Sequence, residues 1–226
     1  MTPHTPVRIW DLPTRLFHWA LAACVVALVI TAKVGGNAME WHFRFGYCVL
    51  ALLVFRIVWG LVGGYWSRFD TFLYSPRQLV RYLRGNAHAQ DNVGHNPLGA
   101  LSVFTLLLVL VVQVVSGLLS DDEIAFAGPL SRFVSNQVVS LASGYHTEIG
   151  QFLVLALVVL HLLAIAFYVA VRKETLVAPM VTGDKALAAS TRPSRDDAAS
   201  RMAALVVLAL SALLAWWVSS LAAAAF

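Results

Sequence analysis

The chain has 226 residues, of which 59% are hydrophobic and 12% charged, and its mean hydropathy is +0.75. A soluble domain carries about twice this charged fraction, so the composition excludes an ordinary soluble enzyme and indicates an integral membrane protein of apolar helices. The net charge of +4 does not indicate nucleic-acid binding, because the basic side chains lie mostly in loops between apolar runs.

The only two cysteines are Cys24 and Cys48, and both lie inside apolar runs. Neither belongs to a Cys-x-x-Cys-His motif, which excludes covalently attached c-type haem, and two cysteines cannot build a disulfide framework.

Residues 1–13 form a short polar lead, and the first predicted span, residues 16–32, has His18 near its start. No small-residue cleavage site follows this run, so we expect it to be retained rather than removed as a signal peptide. A glycine-rich turn at residues 33–41 leads to the second span, residues 42–64, which opens with His42 and contains Arg44 and Arg56. A turn this short makes the two spans antiparallel neighbours.

A polar loop at residues 65–97 separates the second span from the third, which covers residues 98–119. Within the loop, residues 75–84 begin with Ser-Pro and carry basic side chains at helical spacing among apolar ones, which predicts an amphipathic helix on the membrane surface. His95 lies just before the third span. Gln113 and Ser116 are polar positions inside it, and either the bundle interior or ordinary helix packing explains them.

The fourth predicted span, residues 144–171, contains two histidines, His146 and His161, fifteen residues apart. Fifteen helical steps of about 100° leave the two side chains about 60° apart around the axis and about 22 Å apart along it. They therefore share a face, with one near each surface of the hydrocarbon core. Ionisable residues at such depths are costly and usually mark a pathway, a cofactor or a partner.

The remaining segments complete a three-part organisation. We expect a four-helix transmembrane domain at residues 1–171, a flexible cytoplasmic linker at 172–201 and an additional C-terminal transmembrane helix at 202–226. The predicted inner segments hold twelve basic side chains, and the outer ones hold three: Lys33, Arg44 and Arg132. This asymmetry predicts a cytoplasmic N-terminus and a periplasmic C-terminus in a bacterial inner membrane.

Four membrane histidines sort into two pairs by depth. His18 and His161 lie toward the inner side, whereas His42 and His146 open their spans at the outer surface. A haem iron with two axial imidazoles, one from each of two facing helices, needs this arrangement. Zinc or manganese would prefer carboxylates or thiolates beside the histidines, and the first four spans offer none at matching depths.

Several motifs, in the right order over about residues 7–185, resemble those of the prokaryotic cytochrome b561 family, which is similar to the b-type cytochrome subunits of nickel–iron hydrogenases. The motifs are WDLPTRLFHW at 10–19, WH at 41–42 with GY at 46–47, FRIVWG at 55–60, GHNPLGA at 94–100, and His146 with His161. The fifth span lies outside the family's core, and the resemblance suggests no function for it.

The resemblance implies an all-α, four-helix transmembrane bundle that holds two haems b and exchanges electrons with quinone. By motif position, the axial ligands it implies are the pairs His18/His161 and His42/His146. Arg44 and Arg56 are candidates for pairing with haem propionates, although each is as well explained by snorkelling to the headgroups. His95 is a candidate quinone or propionate contact, and an interfacial turn residue is an equal alternative.

Three functions remain open from the sequence. The first is a dihaem electron carrier between the quinone pool and a periplasmic redox partner, which would be a c-type cytochrome, a dehydrogenase or a hydrogenase. The second is a superoxide:ubiquinone oxidoreductase, with the outer basic residues attracting the anion. The third is a haem-free, proton-coupled transporter or scaffold, although transporters usually show repeats and interrupted spans that are not seen here. Membrane lipid is a partner in every case, and a homo-oligomer remains open.

Overall fold

The computed structural model describes residues 4–188 and 190–223. The helices are α1 (Leu12–Val34), α2 (Ala38–Val62), α3 (Pro76–Leu83), α4 (Pro97–Leu119), α5 (Asn136–Gly144), α6 (Gln151–Ala170), α7 (Val177–Thr182) and α8 (Ala198–Ala223). Two strands, β1 (His4–Arg8) and β2 (Asp184–Ala188), are also present. Within the described ranges, five helical segments are long and apolar enough to cross a membrane, which confirms the predicted number of spans.

Side-chain caps define where two of the membrane helices begin. Asp11 Oδ1 accepts a hydrogen bond from the amide of Thr14 at 2.8 Å, at the start of α1. Asn96 Oδ1 accepts one from the amide of Gly99 at 2.7 Å, at the start of α4. Such caps satisfy amide groups that have no partner within the helix.

The predicted amphipathic surface helix is present as α3. Ser75 caps it, because the Ser75 hydroxyl accepts from the Gln78 amide while the Gln78 side chain accepts from the Ser75 amide at 2.7 Å. Pro76 occupies the first helical position, where its missing N–H costs nothing.

The turn between α1 and α2 depends on two glycines. Gly35 and Gly36 have φ angles of 66° and 52°, in the left-handed region that residues with a Cβ rarely adopt. This reversal joins the two long helices directly, as expected from the short glycine-rich segment.

The fourth span begins earlier than predicted. It starts at Asn136, not at residue 144, and continues through α5, a π-helical turn at Tyr145–Gly150 and α6. The polar residues of α5 resemble a loop in composition, which explains why the hydropathy pattern missed this first part of the helix.

The chain forms two compact units. The first comprises Met1–Phe17, Arg56–Thr105 and Val159–Leu205, and the second comprises His18–Phe55, Leu106–Val158 and Val206–Phe226. In the first unit, β1 pairs antiparallel with β2. The segment 172–201 is thus folded over part of its length, since it contains both α7 and β2, and the all-α fold carries this small sheet as an addition.

A buried carboxylate organises the first unit. Asp11 is fully buried and accepts hydrogen bonds from the Trp59 indole, the Gly64 amide and the Ser67 hydroxyl, at 3.2, 3.0 and 2.8 Å. These bonds tie the start of α1 to the end of α2. A neighbouring apolar cluster is built from Val7, Ile9 and Trp10.

The core of the second unit takes residues from all four helices of the predicted bundle. Val49 and Leu53 of α2 pack with Leu110 of α4 and Val154 of α6, and Leu28 is among the residues of α1 that pack against them. This four-helix core positions the outer histidines, because it holds the ends of α1 and α4 beside the starts of α2 and α6.

Candidate functional site

Two of the predicted ligand histidines meet in the second unit. The ring centres of His42 and His146 lie 6.2 Å apart, and the ring planes are inclined at 88°. An imidazole nitrogen binds a first-row metal at about 2.0–2.1 Å. The centre of an imidazole ring lies about 1.1 Å beyond its metal-binding nitrogen. Two imidazoles on opposite sides of one metal therefore have ring centres about 6.3 Å apart. The observed separation therefore fits one iron between the two rings.

The His42 ring is oriented by the last turns of α1. Its Nδ1 lies 3.1 Å from the Leu28 carbonyl oxygen and 3.4 Å from the Thr31 hydroxyl. A carbonyl oxygen only accepts, so Nδ1 carries the proton and donates it. The lone pair is then on Nε2, which is the tautomer that a metal requires.

The His146 ring is oriented in the same way by α4. Its Nδ1 donates to the Gln113 carbonyl oxygen at 2.9 Å and lies 3.3 Å from the Ser116 hydroxyl. The Gln113 side-chain amide also donates to the His146 carbonyl at 3.0 Å. Each histidine is thus braced by a carbonyl on the preceding membrane helix and by a hydroxyl three residues further along that helix.

Local backbone features make room for the His146 ring. His146 lies in the π-helical turn, a distortion that is frequent at functional sites. On the facing helix, a Cβ added to Gly117 would lie 2.7 Å from His146 Cε1. Gly117 therefore permits an approach that any larger residue would block.

A cavity of about 550 Å³ lies beside the two histidines. This volume is in the range of small-molecule and cofactor pockets. Both rings line it, with mainly apolar residues of α1, α2, α4 and α6. Gly46, one turn after His42, lines the cavity where an added Cβ would meet no atom within 4 Å. The space and the two lone-pair nitrogens fit a planar porphyrin held by two imidazoles.

The structure places the candidate arginines differently from each other. Arg44 is not among the described residues that line this cavity. The Arg44 guanidinium lies 4.7 Å from the Trp41 ring centre and 3.9 Å from the Glu40 carboxylate. Arg56, in the first unit, is only 3% exposed and lies 4.6 Å from the Phe69 ring centre. Propionate pairing by either arginine stays a prediction.

The other candidate histidines lie in separate surroundings. His95 is in the first unit, with its ring 4.6 Å from Trp10 and 4.4 Å from Phe72. His18 belongs to the second unit, where its ring lies edge-on to Trp19 at 5.2 Å. His161 is half-buried in the part of α6 that belongs to the first unit. The pairing of His18 with His161 therefore stays a prediction.

The groups that orient the rings were only partly predictable from the sequence, which indicated Gln113 and Ser116 as possible residues of the bundle interior but not Thr31 or the two carbonyls. Gln113 and Ser116 carried a signal, because polar residues are uncommon in an apolar span. Thr31 carried almost none, and the carbonyls of Leu28 and Gln113 carried none, since every residue has a carbonyl. Among the described residues, no group of three or more His, Cys, Asp and Glu side chains is placed to hold a metal ion by itself.

The chain is similar to known membrane cytochromes. The family model described as prokaryotic cytochrome b561 matches residues 9–183. A probable Ni/Fe-hydrogenase B-type cytochrome subunit of Azotobacter chroococcum is 26% identical over 212 residues, covering 79% of this chain and 88% of that protein. The corresponding subunit of Cupriavidus necator is 24% identical, covering 77% and 85%. The probable B-type cytochrome subunit of Ni/Fe-hydrogenase 1 of Escherichia coli K12 is 24% identical, and the match covers 48% of this chain and 57% of that protein.

The matched region contains all four candidate ligand histidines and ends before α8. The members of this family are helical membrane proteins, and b-type cytochromes bind haem b and transfer electrons. With the histidine pair, the cavity and the five membrane-length helices, the match leads to one conclusion: the chain belongs to the prokaryotic cytochrome b561 family.

Proposed function

We propose that the chain is a dihaem cytochrome that transfers electrons across the bacterial inner membrane, between the quinone pool and a periplasmic redox protein. In this proposal, His42 and His146 hold the outer haem, and His18 and His161 hold the inner one. The N-terminus is cytoplasmic and the C-terminus periplasmic. Each haem, when bound, supplies a one-electron centre, and the protein supplies the ligands, their orientation and an apolar surrounding.

The observation that carries the proposal is the His42–His146 pair. Two imidazoles with ring centres 6.2 Å apart, beside a cavity, would hold a haem iron between them. With protein nitrogens on the iron, the haem would supply electron transfer rather than a place for a small substrate. This supports an electron carrier more than a transporter.

The names of the relatives suggest the class of periplasmic partner. The three relatives compared above are named as B-type cytochrome subunits of nickel–iron hydrogenases. We propose that this chain likewise serves a periplasmic dehydrogenase or hydrogenase, or a c-type cytochrome. Asp121, Asp122 and Glu123 are together the candidates for partner steering in the outer loop, because three consecutive carboxylates would attract a basic periplasmic protein.

The test uses the purified full chain. A pyridine haemochrome assay should give about two haems b per polypeptide, and reduction by a water-soluble quinol should produce the spectrum of low-spin b haem. Rapid mixing with quinol should reduce both haems, and an oxidised periplasmic partner should then reoxidise them.

The outcomes separate the parts of the proposal. A haem content near zero would contradict the cytochrome function, and a content near one would contradict the second pair. Two haems that quinol does not reduce would refute the link to the quinone pool while leaving the haem sites in place.

A further inference from the structure

A second, smaller depression lies in the first unit, where α2 ends and the chain approaches α8. Its volume is about 240 Å³, and three arginines contribute to its walls: Arg68, Arg192 and Arg195. Tyr65 and Val62 lie beside them, and no acidic side chain is among the described residues that line it. The depression is therefore cationic with an apolar edge.

The positive charge of this depression is only partly compensated. Arg68 forms an ion pair with Asp70 at 2.8 Å, and Arg195 forms one with Asp197 at 2.9 Å. The Arg192 guanidinium lies 4.3 Å from the centre of the Tyr65 ring, and no carboxylate of the described chain is within ion-pair distance of it. One positive charge thus remains for an anionic ligand.

The backbone around Arg192 is fixed by the neighbouring loop. The Trp66 indole donates a hydrogen bond to the Arg192 carbonyl at 2.7 Å, and the Trp66 amide donates to the Ser194 hydroxyl at 3.2 Å. These bonds hold the segment before α8 against the end of α2. Arg68 therefore lies near Arg192 and Arg195 because of tertiary contacts and not because of closeness in sequence.

The edge of the depression adjoins the end of a membrane-length helix. Leu61 and Val62, the last residues of membrane helix α2, are 67% and 62% exposed, and the polar loop follows directly. Apolar exposure followed by arginines is the pattern of a membrane–water interface, where basic side chains meet lipid phosphates.

We propose that this depression binds a phosphate group, supplied by the headgroup of an anionic phospholipid or by free phosphate. A guanidinium recognises phosphate through paired N–H donors, and Arg192 with its two neighbours presents several donors to one space. Arg192 and Arg195 lie beyond the matched residues 9–183, so the site joins the family's domain to the additional helix α8. It is independent of the haem-binding function.

The test is lipid binding by the purified full chain. Native mass spectrometry should show retention of phosphatidylglycerol in preference to phosphatidylcholine, and Arg192→Gln should weaken that retention about tenfold, as expected for a lost charge-assisted hydrogen bond. The retention of phosphatidylglycerol by Arg192→Lys should be intermediate between those of the wild type and Arg192→Gln. Arg84→Gln is the matched control, because Arg84 is an exposed arginine in the same unit but outside the depression.

A second arm distinguishes the sources of phosphate. A site for free phosphate is indicated if inorganic phosphate displaces phosphatidylglycerol. The phosphorus resonance of inorganic phosphate should then broaden with the wild-type protein but not with Arg192→Gln. Retention of phosphatidylglycerol without an effect of inorganic phosphate indicates a lipid site.

The proposal is overturned if neither probe binds, or if Arg84→Gln lowers retention as much as Arg192→Gln does. Thermal unfolding in phosphatidylcholine should be the same for wild type and the Arg192 variant. Should the Arg192→Gln protein not fold, Arg195→Gln gives the same test with the same expected direction.

Discussion

The imidazole rings of His42 and His146 are perpendicular, with their centres 6.2 Å apart, and each ring is held by a carbonyl and a hydroxyl of a different helix. Neither ring can rotate without losing its bond to Leu28 or Gln113. The separation and the relative orientation of the two rings are therefore set by the protein, as preorganisation of the proposed haem site would require.

The first prediction concerns haem content. His42→Ala and His146→Ala should each remove the same haem, because the two rings flank one cavity, and the content should fall from about two haems to about one. His161→Ala should remove the other haem. Difference spectra of the three variants measure this. The spectra of the remaining haem should be identical in His42→Ala and His146→Ala, and different in His161→Ala. Different residual spectra for His42→Ala and His146→Ala would refute a shared site.

The second prediction concerns the hydroxyls that brace the rings. The Thr31 hydroxyl donates to Ala27 and the Ser116 hydroxyl donates to Gln113, so each presents a lone pair to the histidine Nδ1–H. A hydrogen bond from Nδ1–H to such an acceptor makes the imidazole a stronger electron donor to iron. Thr31→Val and Ser116→Ala should therefore each raise the midpoint potential of the haem held by His42 and His146, by about 20–60 mV for the loss of one net hydrogen bond.

Redox titration measures the shift, and low-temperature EPR reports the relative orientation of the ring planes. Thr147→Val is the matched control, because Thr147 lines the same cavity but its hydroxyl donates to the Ser143 carbonyl. An equal shift in the control would show that the hydroxyls do not act through the histidines.

The third prediction concerns the closest approach to His146. Gly117→Ala places a Cβ 2.7 Å from the ring, so the ring or the helix must move. We expect reduced occupancy of the outer haem and a loss of about 1–3 kcal/mol in stability, the usual cost of overpacking. Haem content and thermal unfolding report the two effects.

Gly144→Ala is the control for this substitution. Gly144 ends α5 with helical angles, and an added Cβ would meet no atom within 4 Å. This variant should keep its haem and gain up to about 1 kcal/mol from the better helix former. Equal haem loss in both variants would remove the steric explanation.

The fourth prediction concerns the outer loop beside the cavity. The amides of Phe126, Ala125 and Ile124 donate to Asp122, which holds the pKa of that carboxyl below its usual value. Because the pKa of Asp122 is lower in the folded loop than in the unfolded chain, the charged carboxylate stabilises the loop at pH values above the unfolded pKa. This stabilisation disappears as the pH falls through the folded pKa. Hydrogen exchange of these three amides should stay protected at mildly acidic pH and rise only in stronger acid.

Asp122→Asn keeps an acceptor oxygen that does not titrate, so its protection should not depend on pH in this range. Asp122→Ala should lose protection at every pH. A pH dependence in the asparagine variant equal to that of wild type would assign the effect to another group.

The sequence predicted the five spans because long apolar runs are distinctive, and it paired His42 with His146 because ionisable residues are rare in such runs. The role of the two histidines as haem ligands stays a prediction. His42 and His146 are recognisable since few ionisable side chains tolerate that depth. The direction of Arg44 was not predictable, because a long side chain at an interface can turn either toward the bundle or toward a neighbour such as Trp41. The strand pairing was not predictable either, because the paired residues are far apart in sequence: His4 and Ala188 are separated by 184 positions, and Arg8 and Asp184 by 176.

That strand pairing has a consequence for how the protein is made. β1 emerges from the ribosome before the first span, whereas its partner β2 follows the fourth. The N-terminal strand must therefore wait, unpaired, until four helices have entered the bilayer, and its exposed edge is open to wrong partners during that time. A fusion protein attached directly before His4 would crowd this late step, so a long flexible linker there should raise the yield of folded cytochrome.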